Sequence, residues 1–303
     1  MSQLLFRLSK LSSRNNELIH KSVRLFSTSP YLTLGSVVED LPEEDGSYIG
    51  DILLFDPAKE ELVTVRDKTI PEKLVNSRVV GASHGWTFFS DRCNHNSKLS
   101  GTPGRDHGWT NKQIPFICSE NSNLMYSKRD QRFYLPAPGG NYLCSWDLHF
   151  DNDPKFNELV FLNLPELPQS EWELLNSCFK EDHWVESPSG QSFLVKWYSH
   201  IPSQRYKDPI LMVLREDEET EEGTRNMCYT EDIGDLCIFL SKSDPFCVVA
   251  SSCPGLKPNS IYLMGRCFAV YDLTTRTARY FKAPKGGPER VPFLPYWLPP
   301  FSI

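Results

Sequence analysis

No apolar run in this 303-residue chain is longer than five residues; the runs Leu236 to Leu240 and Phe246 to Ala250 both stop there. A membrane-crossing helix needs about 20, so no membrane span is expected. Cysteine is present without a pattern. The nine residues Cys93, Cys118, Cys144, Cys178, Cys228, Cys237, Cys247, Cys253 and Cys267 are odd in number and contain no C-x-x-C pair. That removes zinc ribbons and thioredoxin-type redox motifs. Most sit among apolar neighbours, as in Leu236-Cys237-Ile238, and read as buried thiols in a reducing compartment. Most of the chain also lacks an excess of cations. Beyond residue 36 it holds 27 basic and 38 acidic residues, a net of −11, against −7 for the whole. Phosphate backbones are bound by clustered Lys and Arg, so no nucleic-acid partner is expected.

The positive charge that exists is concentrated at the front. The first 36 residues carry Arg7, Lys10, Arg14, Lys21 and Arg24 with one acid, Glu17, among many serines. At about 100° per residue, four of these cations fall on one narrow sector, with Leu4, Leu5, Leu8, Leu11, Leu18 and Ile19 mainly beside it. A basic, hydroxyl-rich, acid-poor amphipathic helix is the composition of an organellar transit peptide. A secretory signal needs an apolar core of roughly 7–15 residues, and the longest here is Leu4-Leu5-Phe6. Arg24-Leu25-Phe26-Ser27 resembles a mitochondrial processing site. The expected organisation is a mitochondrial transit peptide over 1–26, a linker over 27–46 and one folded domain over 47–303. Chloroplast or dual import stays open, because serine-rich tags overlap.

From Ser47 the chain reads as short β-like runs broken by turns, with 23 Pro and 17 Gly as breakers. The runs are Asp51–Phe55, Glu61–Arg66, Ser77–Ala82, Trp86–Phe89, Asn123–Tyr126, Arg132–Leu135, Tyr142–Leu148 and Glu158–Leu162. They continue with His183–Ser187, Ser192–Tyr198, Ile210–Leu214, Asn226–Thr230, Leu236–Leu240, Ser260–Leu263, Phe268–Asp272 and Ala278–Phe281. Many short strands at regular spacing indicate an all-β sandwich, barrel or propeller. One helix is expected over Glu171–Phe179, opened by a Ser170/Glu173 capping box. The acidic string Glu216 to Glu222 is expected as a solvated hairpin loop. Two strand–turn–strand units, Trp184–Ser187 leading to Phe193–Trp197 and Ile261–Met264 leading to Phe268–Asp272, look alike. Such a unit recurring every ~40–50 residues marks propeller blades.

Four segments carry a resemblance to a known family. They are VVGASHGWTFFSD (Val79–Asp91), NLMYSKRDQRFYLPAPGG (Asn123–Gly140), DHWVESPSGQSFLVKWY (Asp182–Tyr198) and DIGDLCIFLSKSDPFCVVASSCPGLKPNSIYLMGRCFAVYDLTT (Asp232–Thr275). In these the chain resembles the plant KIB-type β-propeller family, also called domain of unknown function 295. Within it the likeness is to an organellar branch lacking an F-box. The resemblance implies an all-β, propeller-like fold with the short helix near residues 171–179. Many relatives join that fold to an F-box for ubiquitin ligation, and no catalytic residue carries over from the family. Against relatives, the span Asn94–Gly104 is short, since Trp86 and Trp109 are 23 positions apart. The expectation is therefore a ring short of about one blade, through a splice choice or a gene-model error.

Candidate sites are few. Gly81-Ala82-Ser83-His84-Gly85 matches G-x-S-x-G, whose serine must sit between a strand and a helix. Trp86–Phe89 reads as a second strand, so an organellar serine hydrolase using Ser83 is the lesser alternative. Cys93, His95, Asp106 and His107 match no zinc spacing. His183-Trp184-Val185-Glu186 is not H-E-x-x-H, and on a strand His183 and Glu186 face opposite sides. Asp151 and Asp153 open like a calcium loop that Pro154 and Phe156 then break. Lys285-Gly286-Gly287 has no following helix to make a phosphate loop. Pro295 to Pro300 reads as a docking peptide or, better, as a segment tucked against the domain. Asp40-Leu41-Pro42-Glu43-Glu44 resembles an F-box opening, but Asp45-Gly46-Ser47 interrupts a helix there; a ubiquitin-ligase substrate receptor is a third alternative. The chain is thus expected to be a non-enzymatic interaction scaffold with a protein partner, no cofactor, no metal and no catalytic residue. A serine-reactive fluorophosphonate probe should leave the purified protein unlabelled. Labelling that vanishes in Ser83→Ala would establish a hydrolase.

Overall fold

The computed structural model describes residues 29–38, 42–43, 47–71, 123–137, 139–147, 153–199, 209–217, 223–287 and 295–300, and the backbone of four strands before residue 101. Four sheets are formed among them. The first holds β2 (Tyr31–Val38), β3 (Ser47–Asp56), β4 (Glu61–Pro71) and β21 (Trp297–Leu298), in the order β21-β2-β3-β4. The second has the order β5-β6-β1-β7, with β1 (Gln3–Arg7), β5 (Ser77–Ser83), β6 (Trp86–Asp91) and β7 (Leu99–Ser100).

The third sheet has eight strands. It is two four-stranded antiparallel meanders. One runs through β8 (Met125–Ser127), β9 (Arg132–Pro136), β10 (Tyr142–Asp147) and β11 (Lys155–Leu162). The other runs through β12 (Phe179–Glu186), β13 (Ser192–Ser199), β14 (Ile210–Glu216) and β15 (Thr224–Thr230). They join where β11 and β15 lie parallel. The fourth sheet, β17-β16-β18-β19-β20, comprises β16 (Leu236–Leu240), β17 (Phe246–Val249), β18 (Ser260–Met264), β19 (Phe268–Asp272) and β20 (Thr277–Tyr280).

Side-chain alternation explains how the sheets stack. On β16, Ile238 and Leu240 pack with Val195, Trp197 and Val213 of β13 and β14. Their neighbours Cys237 and Phe239 pack the other way, with Leu32, Leu53, Phe55 and Trp297. β18 divides likewise: Ile261 and Leu263 lie on one side, Tyr262 and Met264 on the other. On β13, Leu194 turns from this interface to meet Tyr134, Leu143, Leu159 and Trp184. A strand covered on both faces reads as an unbroken apolar run, which is why Leu236-Cys237-Ile238-Phe239-Leu240 shows no alternation.

The first sheet is closed by strands far apart in sequence. Tyr31 and Leu32 pair with Leu298 and Trp297. The Thr33 amide donates to the Tyr296 carbonyl at 3.0 Å, and the Tyr296 amide donates to Thr33 Oγ1 at 3.2 Å. Trp297 is fully buried and stands edge-on to Phe239 at 5.2 Å. Phe239 itself stacks on Tyr262 at 4.6 Å and on Phe246 at 5.0 Å. Pro295 to Pro300 is thus a tucked strand, not a presented docking peptide.

Several expectations need correction. The span read as a linker, 27–46, contributes β2, whose Leu32 and Leu34 are core residues. The helix α1 (Gln169–Ser177) begins earlier than expected, and the capping box does not form. Pro168 occupies the cap with φ −54° and admits the chain upstream of Ser170. Glu173 instead accepts from Gln169 Nε2 at 3.2 Å. Leu175 then packs with Tyr198 and Met212. The acidic string is not wholly solvated, because Glu216 Oε1 accepts from Arg225 Nη1 at 2.7 Å. Gln3–Arg7, the front of the expected amphipathic helix, is extended and pairs with β6. An isolated helix of that length is marginal in water, whereas the β6 edge pairs with β1 along its whole length. The span 92–98 and 101–122, where about one blade was expected to be missing, lies outside the described residues, as does most of 1–26.

The seven described cysteines are thiols, and Cys144, Cys178, Cys237, Cys247 and Cys253 are buried. No described helix is long and apolar enough to cross a membrane. Trp297→Ala should lower unfolding stability by about 3–5 kcal/mol, the range for deleting a buried aromatic side chain. Urea denaturation followed by tryptophan fluorescence measures it; a loss under about 1 kcal/mol would mean that this strand does not hold the ring.

Candidate functional site

β12 is the end strand of its meander and packs against β8, β9 and β17. Alternate residues Glu181, His183 and Val185 share one face. That face also carries Trp197, Val195 and Phe193, their partners on β13, and turns toward the sheet of β16 and β18. His183 and Glu186 lie on opposite faces of β12, as the strand alternation predicts. The relevant neighbour is Glu181, two residues earlier.

Glu181 is 4% exposed. Two cations from the neighbouring sheet converge on its Oε1: Arg266 Nε at 3.0 Å and Lys242 Nζ at 3.5 Å. Lys242 follows β16, and Arg266 lies in the β18–β19 turn. That turn favours glycine at 265, where φ is +148°. The Arg266 guanidinium also lies over the Phe179 ring, 4.3 Å from its centroid. Phe179, at the start of β12, is 45% exposed.

Behind Glu181, His183 is 1% exposed. Asn123 Nδ2 donates to the carbonyls of Ser241 and Ser243 at 2.9 and 3.1 Å and lies 3.3 Å from His183 Nδ1. The two protons of the Asn123 amide serve three acceptors within reach, and an unprotonated Nδ1 suits this contact because the amide nitrogen cannot accept. Nε2 lies 3.8 Å from Glu181 Oε2 and has no hydrogen-bond partner. Burial pushes the imidazole pKa down to about 4; Glu181 and Asp182 oppose this and Lys242 assists it. The same serines reach β21: the Trp297 amide donates to Ser241 Oγ at 3.2 Å, and Ser243 Oγ donates to the Trp297 carbonyl at 3.4 Å. One polar knot therefore ties β12, the residues before β8, the β16–β17 loop and the closing strand.

The other charged clusters fasten sheets together. Arg225 donates to Glu216 and, at 2.9 Å, to the Tyr134 hydroxyl, which donates to Asp130 at 2.7 Å. Lys196, on the opposite face of the β12–β13 hairpin from Glu181, reaches Asp182 at 3.4 Å and the Gly140 carbonyl at 3.3 Å. These join the two halves of the eight-stranded sheet.

Of the residues singled out in the sequence, Ser83 ends β5 and β6 follows after two residues, so the helix that a nucleophile elbow requires is a strand. Cys93, His95, Asp106, His107 and Asp151 lie outside the described residues, while Asp153 is exposed and Lys285–Gly287 forms a turn. Among the described residues no three His, Cys, Asp or Glu side chains come together to hold a metal ion. Glu181, Lys242, Arg266 and Phe179 were not found in advance. The signal available was Glu-x-His on a strand; its two cations come from a neighbouring sheet that is distant in sequence.

Stacked, mainly antiparallel sheets, the first of them closed by a pairing of early and late strands, fit a β-propeller. The chain belongs to the family described as the KIB1-4 beta-propeller, which matches residues 95–283. It is also similar to an Arabidopsis thaliana protein named "Putative F-box protein", 28% identical over 166 residues. That match covers 51% of this chain and 40% of the relative, so the chain spans about two fifths of the length of this curated relative.

The buried imidazole has a measurable consequence. Above about pH 6.5 the ring is neutral folded or unfolded and contributes no pH dependence. As the pH falls below 6.5, the unfolded chain takes up the proton and the folded ring does not, so stability falls until about pH 4. The loss should reach about 3 kcal/mol across that window, at ~1.4 kcal/mol per unit of pKa shift. Urea denaturation of wild type and His183→Gln from pH 7.5 to pH 4 isolates it from the carboxylates. The wild-type curve should fall more steeply, and parallel curves would show that His183 does not titrate this way.

Proposed function

We propose that this chain is a non-enzymatic protein-interaction scaffold that works in mitochondria and engages its partner where β12, β16 and the β18–β19 turn end. The observation that carries this reading is the arrangement at Glu181. An exposed Phe179 ring lies under Arg266, and Arg266 and Lys242 are about a third exposed and fixed by a carboxylate beneath them. Arginine and aromatic residues dominate binding energy at interfaces, and propellers bind through such loops while their fold leaves the ligand unspecified. Family membership supports an interaction role. The mitochondrial part rests on the basic, acid-poor front segment and on Arg24-Leu25-Phe26-Ser27. Cleavage there leaves β2 intact and removes β1 from between β6 and β7.

A second reading draws on the relative's name: a substrate receptor for ubiquitin ligation outside the organelle. The two separate cleanly. Residues 1–30 fused to a fluorescent reporter should enter mitochondria, and protein recovered from the organelle should begin near Ser27. An intact Met1 on a cytosolic pool, with a ubiquitin-ligase adaptor among its proximity-labelled neighbours, would replace the first reading with the second.

A further inference from the structure

We propose that this ring face recognises an acidic peptide segment, with a carboxylate seated on Arg266 and Lys242 and an adjoining apolar side chain laid against Phe179. The inference rests on the scaffold reading and names the chemistry of its partner.

Charge counting supports it first. Glu181 is one carboxylate beneath two cations, so the cluster keeps one net positive charge on a chain whose formal charge is −7. A single excess charge suits a carboxylate. A phosphorylated polyanion or an anionic membrane would face repulsion from the rest of the surface. Orientation supports it second. Arg266 meets Glu181 through Nε, so its Nη groups are not used by that contact; among the described residues it has no other ion pair, and Lys242 has none beyond Glu181. Guanidinium edges bind carboxylates in paired hydrogen bonds. Preorganisation supports it third. Glu181 and the Phe179 ring already hold Arg266 in place, so little side-chain freedom remains to be lost on binding. His183 Nε2, buried behind Glu181 and without a hydrogen-bond partner, leaves the carboxylate's second oxygen short of a strong bond and the cations as its main anchor. The exposed half of Phe179 is the apolar part of the same surface.

The test selects peptides from a random phage-displayed library on the full chain, then measures fluorescein-labelled winners by anisotropy. The winners should carry Asp or Glu beside Phe, Leu or Trp. Their Kd should weaken roughly tenfold in Arg266→Ala, as expected for one charge-assisted contact, and further in Arg266→Glu. Arg266→Lys should fall between, because it keeps charge without the fork. Added salt should weaken wild type more than Arg266→Ala. Neutral or basic winners, or acidic winners indifferent to Arg266→Ala, overturn the proposal. So does binding to phosphatidylcholine–phosphatidylglycerol vesicles with no peptide selected. If Arg266→Ala melts early, Lys242→Ala reads the same contact. Proximity labelling with wild type and Arg266→Glu separates the two levels. Neighbours unchanged between them overturn the acidic-peptide site alone, whereas no protein neighbour for either chain overturns the scaffold reading too.

Discussion

The structure depends on burying both faces of its sheets at once. The β16–β20 sheet is sandwiched between Phe55, Leu32 and Trp297 on one side and Val195, Trp197 and Val213 on the other. The β12–β15 meander is sandwiched in turn by that sheet and by Tyr134, Leu143 and Leu159. The central strands of these sheets are covered on both faces, so each sheet depends on its neighbours for much of its apolar burial. At about 25 cal/mol per Å², that shared burial outweighs any single polar contact in the molecule. The polar clusters then decide how the sheets align. Arg225 and Lys196 fix one seam, and the Asn123–Ser241–Ser243 knot fixes another.

This constraint also explains what the sequence disclosed. Strands covered on both faces appear as short solid apolar runs between turns, and most of the ladder from β3 to β20 was legible for that reason. β2 was not, because Tyr31-Leu32-Thr33-Leu34-Gly35 lies in a span whose surrounding composition resembles a linker. β21 has only two residues in its ladder, too few for any periodicity. The helix was legible as an element but not at its start, since Pro168 overrides the serine that looked like its cap. The site was the least legible part. Glu181 and Arg266 are 85 residues apart, and their contact exists only once two sheets have stacked.

The candidate site shows how a surface charge is held in place. Free Lys and Arg side chains sample many rotamers, and an exposed ion pair contributes little. Here the acid is buried, its position is set by the β12 register, and the two cations must come to it. The aromatic ring of Phe179 limits Arg266 from a second direction. A rigid cationic edge on an acidic chain is a more selective feature than its modest charge suggests.

Pairing Leu32 with Trp297 has a consequence in time. β2 pairs early with β3, but its other edge has no partner until Trp297 and Leu298 have been delivered, so closure of the first sheet is late and strongly non-local, the regime in which chains fold slowly. Until then β2 presents an open edge, and the Phe239–Tyr262 aromatic surface lies bare, both hazards for self-association. A chain emerging from a ribosome or threading through a pore would need a holding chaperone for that interval. A break that removes β21 would leave a molecule permanently in that unfinished state, though the other strands of the ring are intact.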